Sequence, residues 1–326
     1  MSVDSGNMAA TPALDDVPFT PVDRPTGADR TYVWVTTAAA SVSLIIVSAT
    51  TIFLVDKARP ALASAGIWAF FSTSVWNPTV GRFGVLGLLL GTMIIATIAM
   101  VIAVPGGVGM ALFINEYAPA RLKRPLTSVI DLLAALPSLL FGMWAFFALQ
   151  KHLIPAARFI AARLAVVPFL RQQDQALTGS SFIAGVVVAI MVLPIVTSVT
   201  RDVMAQVPRG QCEGALALGS TRWGMIRSVI LPFARNGIVG ASLLSFGRAL
   251  GETIAVALIL SPVIKVNWNV LTQGGGSIAA FIAIHFGEAA DLERSALVAA
   301  GLALFLLTFG VNFLARLIVM RTVGKE

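Results

Sequence analysis

About 20 consecutive apolar residues of helix are needed to cross a bilayer's hydrocarbon core, and this sequence supplies runs of that kind repeatedly. Residues 32–55, 84–114 and 182–200 contain no Asp, Glu, Lys or Arg. Residues 129–149, 236–261 and 296–320 are comparable, with isolated charges at Asp131, Arg248, Glu252 and Arg316. Backbone in lipid has no water to bond to and must satisfy its own N–H and C=O groups, so each run implies a helix. The expected fold is an all-α integral membrane protein, a bundle of six spans. Composition agrees: 57% of residues are hydrophobic and 12% charged, against about 25% charged in soluble domains.

The stretches between the runs set the expected topology. Residues 1–30 hold Pro12, Pro18, Pro21 and Pro25 among five aspartates. That is too little apolar surface to fold, without the layout of a cleavable signal peptide, so a disordered cytoplasmic tail is expected ahead of a membrane domain at 31–326. Short cytoplasmic loops collect Lys and Arg. A tight loop at 115–127 with Arg121, Lys123 and Arg124, and the segment 201–235, are therefore expected inside, as are both termini. Residues 56–83 are expected outside with an interfacial helix around Trp68, and part of 151–180 is expected to lie flat on the outer surface or to serve there as a docking surface for a soluble partner. Residues 262–293 are too short of apolar length to span; they are read as an external re-entrant or scoop-shaped element with Gly274, Gly275 and Gly276 as a flexible joint. Pro105, Gly106, Gly107 and Gly109 are expected to interrupt the second span.

One polar segment, at about 203–235, has a shape legible from its residues. Pro208 suits a helix start, Gly219 the position just past a helix end, and Ser220 or Thr221 the cap of a second helix, which Pro232 should end or kink. The spacing Glu213-Gly214-Ala215, then Gly219, then Val229-x-Leu231-Pro232 resembles the EAA loop of permease subunits of bacterial ABC importers. Gly214 and Val229 depart from it, and Gly214 loosens its helix by about 1 kcal/mol relative to Ala. Gly247-Arg248-Ala249-Leu250-Gly251-Glu252-Thr253 is similar to a motif of phosphate-specific permeases, and the Ile254-Ala255-Val256 that follows is nearer the PstC type than the PstA type. Trp76-Asn77-Pro78, residues 113–119 and Leu136-Pro137-Ser138 carry the likeness further along the chain.

The resemblance implies a six-span type I importer permease in a bacterial cell membrane that carries phosphate. Glu213, Gly214, Ala215, Gly219, Leu231 and Pro232 would couple it to a separate PstB-like ATPase dimer, which holds the ATP and magnesium; this chain would bind no cofactor. A PstA-like second permease subunit and an extracytoplasmic PstS-like phosphate-binding protein complete the implied set.

Arg248 and Glu252 stand four apart, hence on one face of the fifth span and close enough to interact. A charge at bilayer depth costs at least about 2.5 to 3.5 kcal/mol and normally faces a bundle interior or water. An always-charged guanidinium with a fork of donors suits a tetrahedral oxyanion. Arg248, Glu252, Thr253, Ser138 and Thr92 are the expected pathway residues. The alternatives are an ion pair that only fixes packing and hydroxyls that bond their own helix.

Other classes find less support. The net charge of +7 comes without an aromatic-basic module for nucleic acid. No GxxxxGK[ST] loop is present, so ATP hydrolysis belongs to another chain. Cys212 is the single cysteine, which excludes an internal disulfide, and His152 and His285 stand far apart. A membrane enzyme would need a nucleophile, base or metal cluster. The open rivals are a proton-coupled anion transporter using Glu252 and an importer of another oxyanion.

Overall fold

The computed structural model describes residues 27–163, 178–260 and 262–323. Six helices among them are long and apolar enough to cross a membrane: Asp29–Ala65, Leu86–Tyr117, Ser138–Arg163, Ser181–Met204, Arg222–Leu250 and Asp291–Leu317. The number matches the six apolar runs. The expected tail is outside the described residues up to position 26, and helix α1 (Gly27–Ala65) begins at Gly27.

By contacts the chain divides into Met1–Thr50 and Thr51–Glu326. In the first unit α1 exposes its side chains through Thr50. Its hydroxyls are satisfied locally, Thr36 Oγ1 donating to the Tyr32 carbonyl at 2.9 Å and Ser41 Oγ to that of Thr37 at 2.8 Å. Such back-bonding lets a Ser/Thr-rich helix enter lipid without stranded polar groups.

In the second unit α1 continues through Asp56, Lys57 and Pro60, past the expected end of the span. A short α2 (Ile67–Ser72) follows, with Trp68 exposed, then an antiparallel hairpin of β1 (Trp76–Asn77) and β2 (Arg82–Phe83). Helix α3 (Leu86–Leu112) runs unbroken through Pro105, contrary to expectation, and leaves through a π-helical turn at Phe113–Tyr117. Gly107 has another purpose: a Cβ there would stand 2.7 Å from Val196 of α7 (Ser181–Met204), and one on Gly185 of α7 would meet Ile98 at 2.6 Å. Small residues let these two helices pack at the centre of the bundle, as is general for membrane helices.

The expected loop at 115–127 is instead the start of helix α4 (Ala120–Ala135), with Arg121, Lys123 and Arg124 in its first turns. Leu136, at ψ 136°, ends it, because a residue before proline avoids helical geometry. The third span therefore starts at Ser138, not 129, as α5 (Ser138–Trp144), a π-helical turn (Ala145–Leu149) and α6 (Gln150–Arg163). Residues 151–163 thus extend the span; Ala157 and Ala161 are buried against Leu271. The rest of that expected surface segment, 164–177, is outside the described residues.

After α7 come α8 (Arg209–Ala217), α9 (Arg222–Met225), a π-helical turn (Ile226–Ile230) and α10 (Leu231–Leu250). The expected fifth span to 261 stops at Leu250; Gly251 to Thr253 break it, and α11 (Ile254–Ile259) is separate. Residues 262–277 are irregular: Val263, Lys265 and Trp268 are exposed, while Leu271, Thr272 and Gly274 to Ser277 are buried. Asn267 holds this segment, its Nδ2 donating to the Gly274 carbonyl at 3.1 Å. The three glycines form no flexible joint: Gly274 sits at φ 92°, and a Cβ on Gly276 would lie 2.7 Å from the Gly87 carbonyl. They are seats for close packing. Helix α12 (Ile278–His285) and the long α13 (Asp291–Val323) complete the chain.

Candidate functional site

The connector after α7 has the bent form its residues require. Gly219 adopts φ 88°, Ser220 N–H donates to the Ala215 carbonyl (3.1 Å) and Gly219 N–H to that of Leu216 (3.0 Å), which closes α8 with two bonds. Thr221 Oγ1 then accepts from Gly224 N–H at 3.1 Å and opens α9. Pro232 does not end the second helix. It stands in the first turn of α10, behind the widened turn at Ile226–Ile230, so its missing N–H and bulky ring are absorbed and α9 runs on into α10.

Six residues were expected to face an ATPase, and the structure divides them. Glu213, Gly214, Gly219 and Pro232 are exposed, Ala215 is half-buried, and Leu231 turns inward onto the cluster of Met204, Met225, Ile226 and Ile230. A shallow groove of about 610 Å³ runs between α8 and the start of α10, floored by Gly214, Ala215, Val229 and Pro232. Beyond the adjoining backbone, a Cβ on Gly214 or Gly219 would meet nothing within 4 Å among the described residues. Leu218, on the rim, is 90% exposed, and Leu216 and Trp223 of the same connector are exposed as well. The sequence reading missed these three; the available signal was large apolar side chains within the most polar connector of the chain.

The connector is tied to the bundle at the π-helical turn below α3. The Arg222 guanidinium lies 5.6 Å from the Tyr117 ring centre. Asn115 Nδ2 donates to the Arg201 carbonyl on α7 at 2.9 Å, and Lys123 Nζ of α4 donates to the Asn115 carbonyl. Arg201 bridges Asp202 (2.8 Å) and Asp131 of α4 (3.6 Å). Through Arg222 and Tyr117 the start of α9 thus touches the turn that also ties α3 to α4 and α7.

Half-buried Cys212 of α8 reports on this corner. Burial, then the carboxylates of Glu116 and Glu213, raise its thiol pKa above the ordinary value. Negative neighbours oppose the thiolate, so alkylation by a neutral maleimide is expected to rise with pH later than for a free thiol. Glu116→Gln should bring the midpoint back down; a midpoint unmoved by that change would mean the two groups do not meet.

The pathway residues are less united than expected. Arg248 is exposed in the last turn of α10, in an open cavity of about 420 Å³ shared with Ile195 of α7 and with Thr308 and Asn312 of α13. Glu252 lies beyond the break at Gly251, is 8% exposed, and accepts a long bond from Ala255 N–H (3.4 Å) at the start of α11. No ion pair joins the two among the described residues. The expected i, i+4 alignment fails because α10 ends between them. Thr253 Oγ1 donates to the Gly251 carbonyl (3.0 Å). Thr92 is 3% exposed, donating to the Leu88 carbonyl (2.7 Å) and accepting from Ile278 N–H (3.1 Å), so it anchors α12. Ser138 is half-buried at the start of α5. None of these four lines the Arg248 cavity.

The sequence pattern of the family described as binding-protein-dependent transport system inner membrane component matches residues 103–324. The chain belongs to this family. Among the permease's relatives, "Phosphate transport system permease protein PstC 2" of Mycobacterium tuberculosis is 41% identical over 94% of this chain and 95% of that one. The PstC proteins of Xylella fastidiosa (39%, covering 92% and 93%) and Mycobacterium leprae (42%, covering 82% and 85%) are similar. Among solved structures, a chain of a bacterial alginate ABC transporter crystallised with an alginate pentasaccharide-bound periplasmic protein superposes with a TM-score of 0.61 at 14% identity, covering 92% of the permease and 98% of that chain. That likeness is one of fold. The permease is thus a multi-pass membrane component of an ABC importer.

Proposed function

We propose that this chain is the PstC-type permease subunit of an ATP-driven phosphate importer in a bacterial cell membrane. The observation that carries the reading is the 41% identity to a phosphate transport permease along 94% of the chain. Its partners are a PstA-like permease subunit, a PstB-like ATPase dimer that holds ATP and magnesium, and a PstS-like binding protein outside. Both termini and the connector lie in the cytoplasm. The chain itself makes and breaks no covalent bond; nucleotide-driven movement of α8 and α9 reaches α3, α4 and α7 through the Tyr117 corner and tilts the spans.

Arg248 offers the anion a passing contact. Its cavity-facing position and fixed charge support that role, while the burial and capping bond of Glu252 support a structural one. The two assignments predict opposite phenotypes. Arg248→Gln should cut phosphate uptake about tenfold or more with an unchanged melting temperature, as expected for loss of a charge-assisted contact. Glu252→Gln should lower stability by about 1 kcal/mol, the usual scale of a lost cap, with uptake per folded complex largely kept.

The reading as a whole is tested in proteoliposomes holding the full complex. Uptake of radiolabelled phosphate should require internal ATP and survive a protonophore. Uptake that persists without ATP and collapses with the protonophore would instead support the proton-coupled class, and uptake of sulfate in preference to phosphate would change the substrate.

A further inference from the structure

We infer that the permease carries a built site for one zwitterionic phospholipid, between the second half of α1 and the start of α13. A cavity of about 560 Å³ opens there, lined by Phe53, Asp56, Lys57, Phe286, Asp291 and Arg294, among others. Its position in depth follows from the two helices that form it. On α1 the charge-free stretch 32–55 ends at Asp56 and Lys57; on α13 Asp291 and Arg294 precede a charge-free stretch that lasts to Arg316. Both walls therefore pass from charged to apolar at the same place, which is the boundary between headgroups and hydrocarbon.

The cavity's own polarity matches that boundary. Its charged wall would meet a headgroup, while Phe53, Phe286 and Val298 offer apolar surface to an acyl chain. The charges are two acidic and two basic, so an anionic headgroup would meet two carboxylates with its excess charge. A zwitterion satisfies both signs, its phosphate on Lys57 and Arg294 and its ammonium on Asp56 and Asp291.

Arg294 is held in place before any lipid arrives, with Nη2 donating to the Ala289 carbonyl (3.2 Å) and the guanidinium 5.8 Å from the Phe286 ring centre. Its remaining donors are available for a phosphate. Lys57 has no ion-pair partner among the described residues, and Asp56 has only Arg59, at 3.9 Å on an exposed face. The walls are fixed by Ser295, whose Oγ donates to the Lys57 carbonyl (2.7 Å) and accepts from Ala61 N–H (3.2 Å). A cleft so pinned does not close when it is empty.

The test is native mass spectrometry of the complete complex, washed in mild detergent and equilibrated with equal amounts of phosphatidylethanolamine, phosphatidylcholine and phosphatidylglycerol. One zwitterionic lipid per permease should be retained about tenfold over phosphatidylglycerol, and Arg294→Gln should reduce its retention by about as much, the scale of one charge-assisted contact. Asp56→Asn with Asp291→Asn should reverse the preference toward phosphatidylglycerol, a result that partial unfolding cannot produce. Equal retention of the three lipids, preference of the unaltered complex for phosphatidylglycerol, or a photocrosslinker at Phe53 that captures a protein subunit in place of lipid would each overturn the site.

Discussion

Replacing Gly91 by alanine should remove most of the folded permease from the membrane. A Cβ at this position would stand 2.2 Å from the carbonyl oxygen of Gly276 and 2.6 Å from its nitrogen, so the collision is with backbone on both helix and loop. Overpacking costs about 1 to 3 kcal/mol where side chains can yield; with backbone opposite, about 3 kcal/mol or more is expected. That is a large share of the roughly 5 to 15 kcal/mol that separates folded from unfolded domains. The consequence reaches past one contact, because Gly276 precedes α12 and the Thr92 anchor lies one residue along α3. The measurement is the monodisperse yield and melting temperature of the complex in detergent. Gly240→Ala, on α10 with open space where its Cβ would stand, is the control and should be neutral or stabilising by up to about 1 kcal/mol. Equal melting temperatures for the two variants would show that the segment before α12 is not seated on α3.

Leu218→Asp should separate the permease from its ATPase while leaving the permease folded. Leu218 makes no claim on the core, being 90% exposed at the end of α8, and it rims the groove floored by Gly214 and Ala215. A carboxylate introduced into a docking contact without a partner costs about 2 kcal/mol or more in desolvation, so ATPase-subunit affinity should fall about thirtyfold. Pull-down of the ATPase subunit and transport rate should both drop, with the melting temperature of the isolated permease unchanged. Gly219→Val would give a similar loss by another route, since φ 88° is a conformation that costs a branched residue about 1 to 2 kcal/mol. Full affinity in Leu218→Asp would move the docking surface elsewhere on the connector.

The Arg248 and Glu252 pair shows where a linear reading fails. Separation by four residues puts two side chains on one face only while the helix is continuous, and the chain leaves helical geometry at Gly251. Nothing local announces that break, since glycine within a membrane helix is commonplace. The glycines at 274 to 276 fail for a related reason. Their run suggests freedom, yet two of them are small because Leu260, Ser181 and the backbone of Gly87 come too near for a side chain.

What the sequence determined unaided is the set of properties that arise within a turn or two of chain. The number of spans follows from runs of apolar residues, because lipid demands internally bonded backbone wherever it is met. The helix, bend and helix of the connector follow from Pro208, Gly219 and Thr221, because caps and left-handed turns are local choices. The tertiary structure alone decided which polar groups face a cavity and which are consumed inside, since Thr92 and Arg248 are distinguished only by what packs against them from α12, α7 and α13. A hydroxyl or a charge has the same chemistry in either place; its neighbours, distant in sequence, determine whether any of it is left to offer a ligand.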